Sequence, residues 1–128
     1  MRKLALFLGL SMLRTAAATA DVRRYPLPNN STFPIAQAVE VSSGNLVFLS
    51  GATPLPANVN AEQGTPAYYG DTETQTVSVL NRIKANLEGM GLEFGDIIKL
   101  TVFLVGDPAL EDQMDFGGFM SGYTRFFG

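Results

Sequence analysis

The chemistry open to this chain is narrowed first by what it lacks. Neither histidine nor cysteine occurs in its 128 residues. That removes imidazole general bases, thiolate nucleophiles, Ser-His-Asp triads, disulfides and HExxH zinc sites. Any reaction has to use carboxylates, Lys, Arg, Tyr, hydroxyls or backbone amides. Four places gather such groups. Ser50-Gly51 follows an apolar run and can offer a hydroxyl and an amide to a ligand, or close a strand with the hydroxyl satisfied locally. Lys99 sits in a strand pattern and reads as a solvent-facing cation on an apolar stem. Asp112 and Asp115 lack a third ligand nearby, so they read as charges at a helix start and not as a metal site. Arg125 falls off the apolar stripe of the last helix and reads as solvated. No metal and no cofactor is predicted.

The elements that must position these groups are legible in the spacing of apolar residues. Val22–Leu27 has strand propensity, and Pro26 and Pro28 cut it to a short edge strand. Ala36–Val41, the turn Ser42-Ser43-Gly44-Asn45 and the run Leu46-Val47-Phe48-Leu49 predict a hairpin whose second strand is deeply buried and delivers Ser50-Gly51. Residues 52–70, with Pro54, Pro56 and Pro66, predict a long loop. Thr72-Glu73-Thr74-Gln75 matches a capping box, so a helix is expected from there. Thr76, Leu80, Ile83, Leu87 and Met90 form its apolar stripe, Arg82, Lys84 and Glu88 face water, and Gly89 and Gly91 end it. Ile97–Val105, rich in β-branched and aromatic residues, predicts the strongest strand of the chain and carries Lys99. Phe116, Phe119, Met120, Tyr123 and Phe127 predict a second amphipathic helix, its aromatic stripe serving as core, despite Gly117, Gly118 and Gly122.

Composition sets the outer bounds. With 46% apolar and 16% charged residues the chain reads as globular, and its length suits one domain. The first twenty residues differ: Arg2 and Lys3 lead into the apolar run Leu4–Leu13, and Arg14 and small residues follow to Ala20. This predicts a secretory signal peptide over 1–20, a domain over 21–128, and a periplasmic or secreted protein. The ten-residue run is half of what a membrane span needs, so no membrane association is expected after cleavage. Without Arg2, Lys3 and Arg14, six basic residues face twelve acidic ones, a net charge of about −6. Such a surface repels phosphate backbones, and nucleic-acid binding is not expected.

This order of elements predicts an α+β fold, a small mixed sheet with both helices packed on one face through a right-handed crossover. Two helices need more sheet than three or four strands supply, so C-terminal strands are expected to be missing.

Five segments carry a family resemblance: Phe33-Pro34-Ile35-Ala36-Gln37-Ala38, Leu49-Ser50-Gly51-Ala52-Thr53-Pro54, Gly91-Leu92-Glu93-Phe94-Gly95-Asp96-Ile97-Ile98-Lys99, Thr101-Val102-Phe103-Leu104 and Tyr123-Thr124-Arg125-Phe126-Phe127. In this order and spacing, from about Val22 to Gly128, the chain resembles the Rid family, the YjgF-type reactive-imine deaminases. The resemblance implies a chorismate-mutase-like α+β domain, a homotrimer with clefts between subunits, and hydrolysis of reactive enamines and imines derived from amino acids. It implies that Ser50 and Gly51 line the cleft. The family's arginine that binds the substrate carboxylate and its water-positioning glutamate lie in segments with no counterpart in residues 1–128, so no catalytic residue is assigned. Ile35 stands where the family carries a cleft tyrosine, and Met120 stands where its deaminases often carry asparagine. The expected function is that of an exported Rid-type protein that binds a small carboxylate-bearing metabolite, with imine deaminase activity in the complete form. The alternatives are a non-catalytic binding or assembly module and an inactive gene fragment.

Overall fold

The computed structural model describes residues 20–128. Apart from Ala20, the expected signal peptide lies outside the described residues.

Strand β1 (Asp21–Tyr25) pairs antiparallel with β2 (Ala38–Ser43), with Tyr25 opposite Ala38 and Arg23 opposite Glu40. Cross-strand geometry puts a side chain within reach of the diagonal neighbour, and Tyr25 uses it to donate to Glu40 Oε2 at 2.6 Å. Residues two apart share a strand face, and the Arg23 guanidinium lies 4.8 Å from the Tyr25 ring centre. Gly44 ends β2 with φ +114°, a conformation that costs little only without a Cβ. The expected partner of β2 across that turn is not formed. Leu46–Leu49 belongs to no strand, and each of its residues is exposed, Phe48 at 89%. Nor is there a ladder over Ile97–Val105, where Phe103 is 90% exposed. Both runs have strand composition, yet a strand exists only when its N–H and C=O groups meet a neighbour's, and these two meet none. The mixed sheet and its crossover are therefore replaced by two antiparallel pairs, β1-β2 and the short β3 (Gly106–Asp107) with β4 (Gln113–Met114).

The helices follow the sequence more closely. After the short α1 (Pro66–Tyr69), helix α2 runs over Thr72–Gly89. Its cap is not the expected threonine. The Asp71 carboxylate accepts from the Thr74 amide at 2.8 Å, Thr72 is the first helical residue, and Gln75 donates to the Gly70 carbonyl at 2.8 Å. An aspartate accepts more strongly than a hydroxyl and complements the positive end of the helix dipole, which moves the start by one position. At the other end the Leu92 amide reaches the Leu87 carbonyl and the Gly91 amide that of Glu88, with Gly91 at φ +73°. This Schellman arrangement satisfies the last carbonyls and leaves Met90 outside the stripe, 47% exposed. Thr76, Leu80 and Leu87 are buried as expected, and Ile83 is half-buried. The Thr76 hydroxyl is satisfied within the helix, donating to Thr72 O at 2.7 Å.

Helix α3 (Phe116–Tyr123) begins at Asp115, whose carboxylate accepts from the Gly118 amide at 2.8 Å, the helix-start role expected of it. It packs on α2 through Gly122, where a Cβ would lie 2.8 Å from Thr76 Cβ and 3.0 Å from the Glu73 carbonyl oxygen. The missing side chain at 122 is thus what lets the two backbones approach. Arg125 is exposed, as expected, and from there forms an ion pair with Glu73 across the same junction. Beyond the helix, Phe127 stacks on Tyr123 at 4.5 Å between ring centres and meets Phe94 edge-on at 5.0 Å, fastening the turn Phe94–Asp96 to the helix pair. The Phe116 end of the aromatic stripe stays 49% exposed. Among the described residues Leu80 and Leu87 are the only buried large apolar side chains, so the core is one side of α2.

Candidate functional site

A cavity of about 2090 Å³ lies above that core. Its floor is the α2 stripe from Thr72 through Thr76, Leu80 and Ile83 to Leu87, recurring every three or four residues. Its walls include two segments, Asn45–Pro54 and Gly95–Ala109. Within these walls 45–56 and 97–105 run without turn or bend.

One wall is anchored by contacts from α2. Ser78 Oγ accepts from the Leu55 amide at 2.9 Å, and the Arg82 guanidinium donates to the Thr53 carbonyl. Arg82 therefore does not simply face water. Serine and arginine four residues apart share a helix face, and that spacing beside a proline-rich loop with carbonyls to satisfy is the signal that could have found the pair. The other wall is held by Arg24 of β1, which donates to the carbonyls of Gly95 and, at 3.4 Å, Ile97.

The sequence-derived site residues distribute unevenly. Ser50 and Gly51 line the cavity, both exposed, and a Cβ at Gly51 would meet nothing within 4 Å, so a ligand can approach its backbone closely. Lys99 also lines the cavity, is exposed, and takes part in no ion pair among the described residues. Ile35 does not line the cavity. It is 53% exposed on the loop between β1 and β2, its amide bonded to Phe33 O at 2.8 Å. That loop is tied to α3 by Tyr123, whose hydroxyl donates to Pro34 O at 3.3 Å and whose burial pushes the phenol pKa up. Met120 is half-buried on the same helix. No group of three or more potential metal ligands is found among the described residues, and none of the described helices is long and apolar enough to cross a membrane.

The cavity is open and mostly apolar, edged by a serine hydroxyl, backbone amides and a lysine, in a small α+β protein. A family model described as endoribonuclease L-PSP matches residues 29–127. The chain belongs to this family, the Rid/YjgF proteins, and its helices and antiparallel strands agree with the chorismate-mutase-like fold. It is 36% identical over 95 residues to the protein DfrA of Myxococcus xanthus, covering 73% of this chain and 63% of the relative. It is also 36% identical over 95 residues to the 2-iminobutanoate/2-iminopropanoate deaminase of Escherichia coli strain K12, covering 73% and 62%. With a RutC family protein of Pyrococcus horikoshii it shares 34% over 95 residues, covering 74% and 65%. The chain thus spans less than two thirds of the length of these relatives.

Proposed function

We propose that this chain is an exported Rid-type protein that binds a small 2-oxo or 2-imino acid along the Ser50–Gly51 wall. The reaction class of the complete form is imine hydrolysis, in which water adds to the C=N carbon and the adduct releases ammonia to leave the 2-oxo acid. The observation that carries the reading is the family membership over 29–127 together with Ser50 and Gly51 at a cavity wide enough for such a metabolite. The name of the Escherichia coli relative supplies the substrate class.

Residues 1–128 carry binding and not turnover in this proposal. Each described arginine is already engaged: Arg23 over Tyr25, Arg24 and Arg82 on backbone carbonyls, Arg125 with Glu73. Lys99 is left as the cation to meet the ligand carboxylate, and Ile35 makes the neighbouring loop apolar. We further propose assembly as a homotrimer with clefts between subunits. The acidic balance of residues 21–128 speaks against RNA as substrate.

The test measures two things on one protein. Calorimetric titration with 2-oxobutanoate is expected to give saturable binding that Ser50→Ala weakens, while semicarbazide trapping in an enamine-generating assay is expected to give hydrolysis at background. Absence of saturable binding refutes the binding reading, and turnover above background refutes the division between binding and catalysis.

A further inference from the structure

A second groove lies outside the site described above. The hairpin of β3 and β4 packs mainly on itself and not on the helices. Along it, as far as the start of α3, runs an open groove of about 510 Å³ whose large apolar side chains are Leu110, Met114 and Phe116. It shares only Ala109 with the larger cavity. The three side chains are 44%, 54% and 49% exposed, so the groove is an apolar surface held in water. The charge around it has one sign. Asp107, Glu111, Asp112 and Asp115 are four of the twelve acidic residues, and no lysine or arginine occurs between Lys99 and Arg125. Asp107 and Asp115 each commit one carboxylate oxygen to a backbone amide, that of Ala109 at 2.9 Å and that of Gly118 at 2.8 Å. Glu111 and Asp112 are exposed and enter no ion pair among the described residues. Both stand at positive φ, +57° and +61°, where a hairpin turn forms at least cost with Asn-Gly. Ease of turning therefore does not account for two acidic side chains there.

An apolar floor with a rim of one charge narrows what fits on it. Nucleic acid and anionic lipid headgroups are repelled by carboxylates. A second copy of this chain carries the same acidic excess, and its described cations other than Lys99 are already engaged. A small neutral molecule would use the floor and leave the rim charges without a partner. A polypeptide with Lys or Arg beside large apolar side chains meets both demands. Its apolar groups cover Leu110, Met114 and Phe116, and its cations face Glu111 and Asp112 at the wet edge, the apolar centre and polar rim that protein interfaces share. We propose that this groove docks a basic, apolar-centred segment of a separate protein. The carboxylates set the approach and orientation of that segment, and burial of the three apolar side chains holds it.

The proposal does not rest on the metabolite reading, whose residues line the other cavity. The test titrates the full chain into three labelled peptides and follows fluorescence anisotropy. The first peptide has Leu-Phe-Leu between two pairs of lysines, the second has glutamate for each lysine, and the third has serine for each apolar residue. The first is expected to bind, and the other two about tenfold more weakly or worse. Glu111→Gln combined with Asp112→Asn keeps side-chain size and suits the left-handed turn, and it is expected to weaken the first peptide about fivefold. Glu62→Gln combined with Glu88→Gln removes the same charge elsewhere and is expected to leave affinity within about twofold. Equal binding of the serine peptide, equal loss in the two double variants, or no binding at millimolar peptide overturns the proposal. So does an assembly in solution that Met114→Ser dissociates, since a second copy then fills the groove.

Discussion

Replacing Gly122 by alanine tests whether the α2–α3 junction depends on a missing side chain. The added Cβ would sit 2.8 Å from Thr76 Cβ, 2.9 Å from Thr76 Cγ2 and 3.0 Å from the Glu73 carbonyl oxygen. Carbon atoms pack at about 3.5–4.0 Å, so the two helices must separate by roughly 0.5–1 Å or distort. Thr76 cannot swing aside freely, being buried with its hydroxyl committed to Thr72. Overpacking of this kind costs about 1–3 kcal/mol, against a gain of about 0.8–1.0 kcal/mol from replacing a helical glycine. Gly117→Ala is the control, because its Cβ would meet only Asp115 Oδ1 at 3.6 Å and the helix-propensity gain stands alone. The two variants should differ by about 2 kcal/mol, with Gly122→Ala the less stable, which is about 8–16 °C in melting temperature for a domain of this size. Urea and thermal denaturation followed by circular dichroism read both quantities. Equal stability of the two variants would refute the argument, since the close approach at Gly122 would then carry no weight.

Two further perturbations probe the helix cap and the cavity wall. Hydrogen bonds from the Thr74 side chain and backbone hold the Asp71 carboxyl below the usual carboxylate range, so its stabilisation is complete above the unfolded-state pKa and fades as pH falls through the folded one. Asp71→Ala should lose about 1 kcal/mol at neutral pH, with the gap to the parent closing in acid, whereas Asp71→Asn should keep most of the cap with little pH dependence; denaturation midpoints from pH 2 to 7 check both. Arg82→Met keeps the apolar stem but removes the donor to Thr53 O, so the amide of Leu55 should exchange faster while α2 is unchanged. Unaltered exchange at Leu55 would show that Ser78 alone anchors the wall.

What could be read from the sequence was whatever is decided within one helical turn or one strand length. The 3.6-residue recurrence of Thr76, Leu80, Ile83 and Leu87 marked the buried stripe of α2, because periodicity is a property of the segment itself. Gly91 and the Asp115 cap belong to the same class. The start of α2 was misread by one residue, since Asp71 outcompetes Thr72 as a cap only when both are weighed. The family was legible from five short segments in register.

Tertiary structure decided the rest, because strand formation and ion pairing depend on what lies across space. Leu46–Leu49 and Ile97–Val105 have the composition of buried strands, but composition states only that they suit a sheet. Whether a ladder forms depends on a partner edge at about 4.8 Å, and each of these runs borders a void instead. The same holds for Arg82 and Arg125, whose partners Thr53 and Glu73 are 29 and 52 residues away along the chain. Gly122 is the clearest case. In sequence it is a flaw in a helix, and only the crossing of α3 over Thr76 turns the absence of a side chain into the contact that joins the two helices.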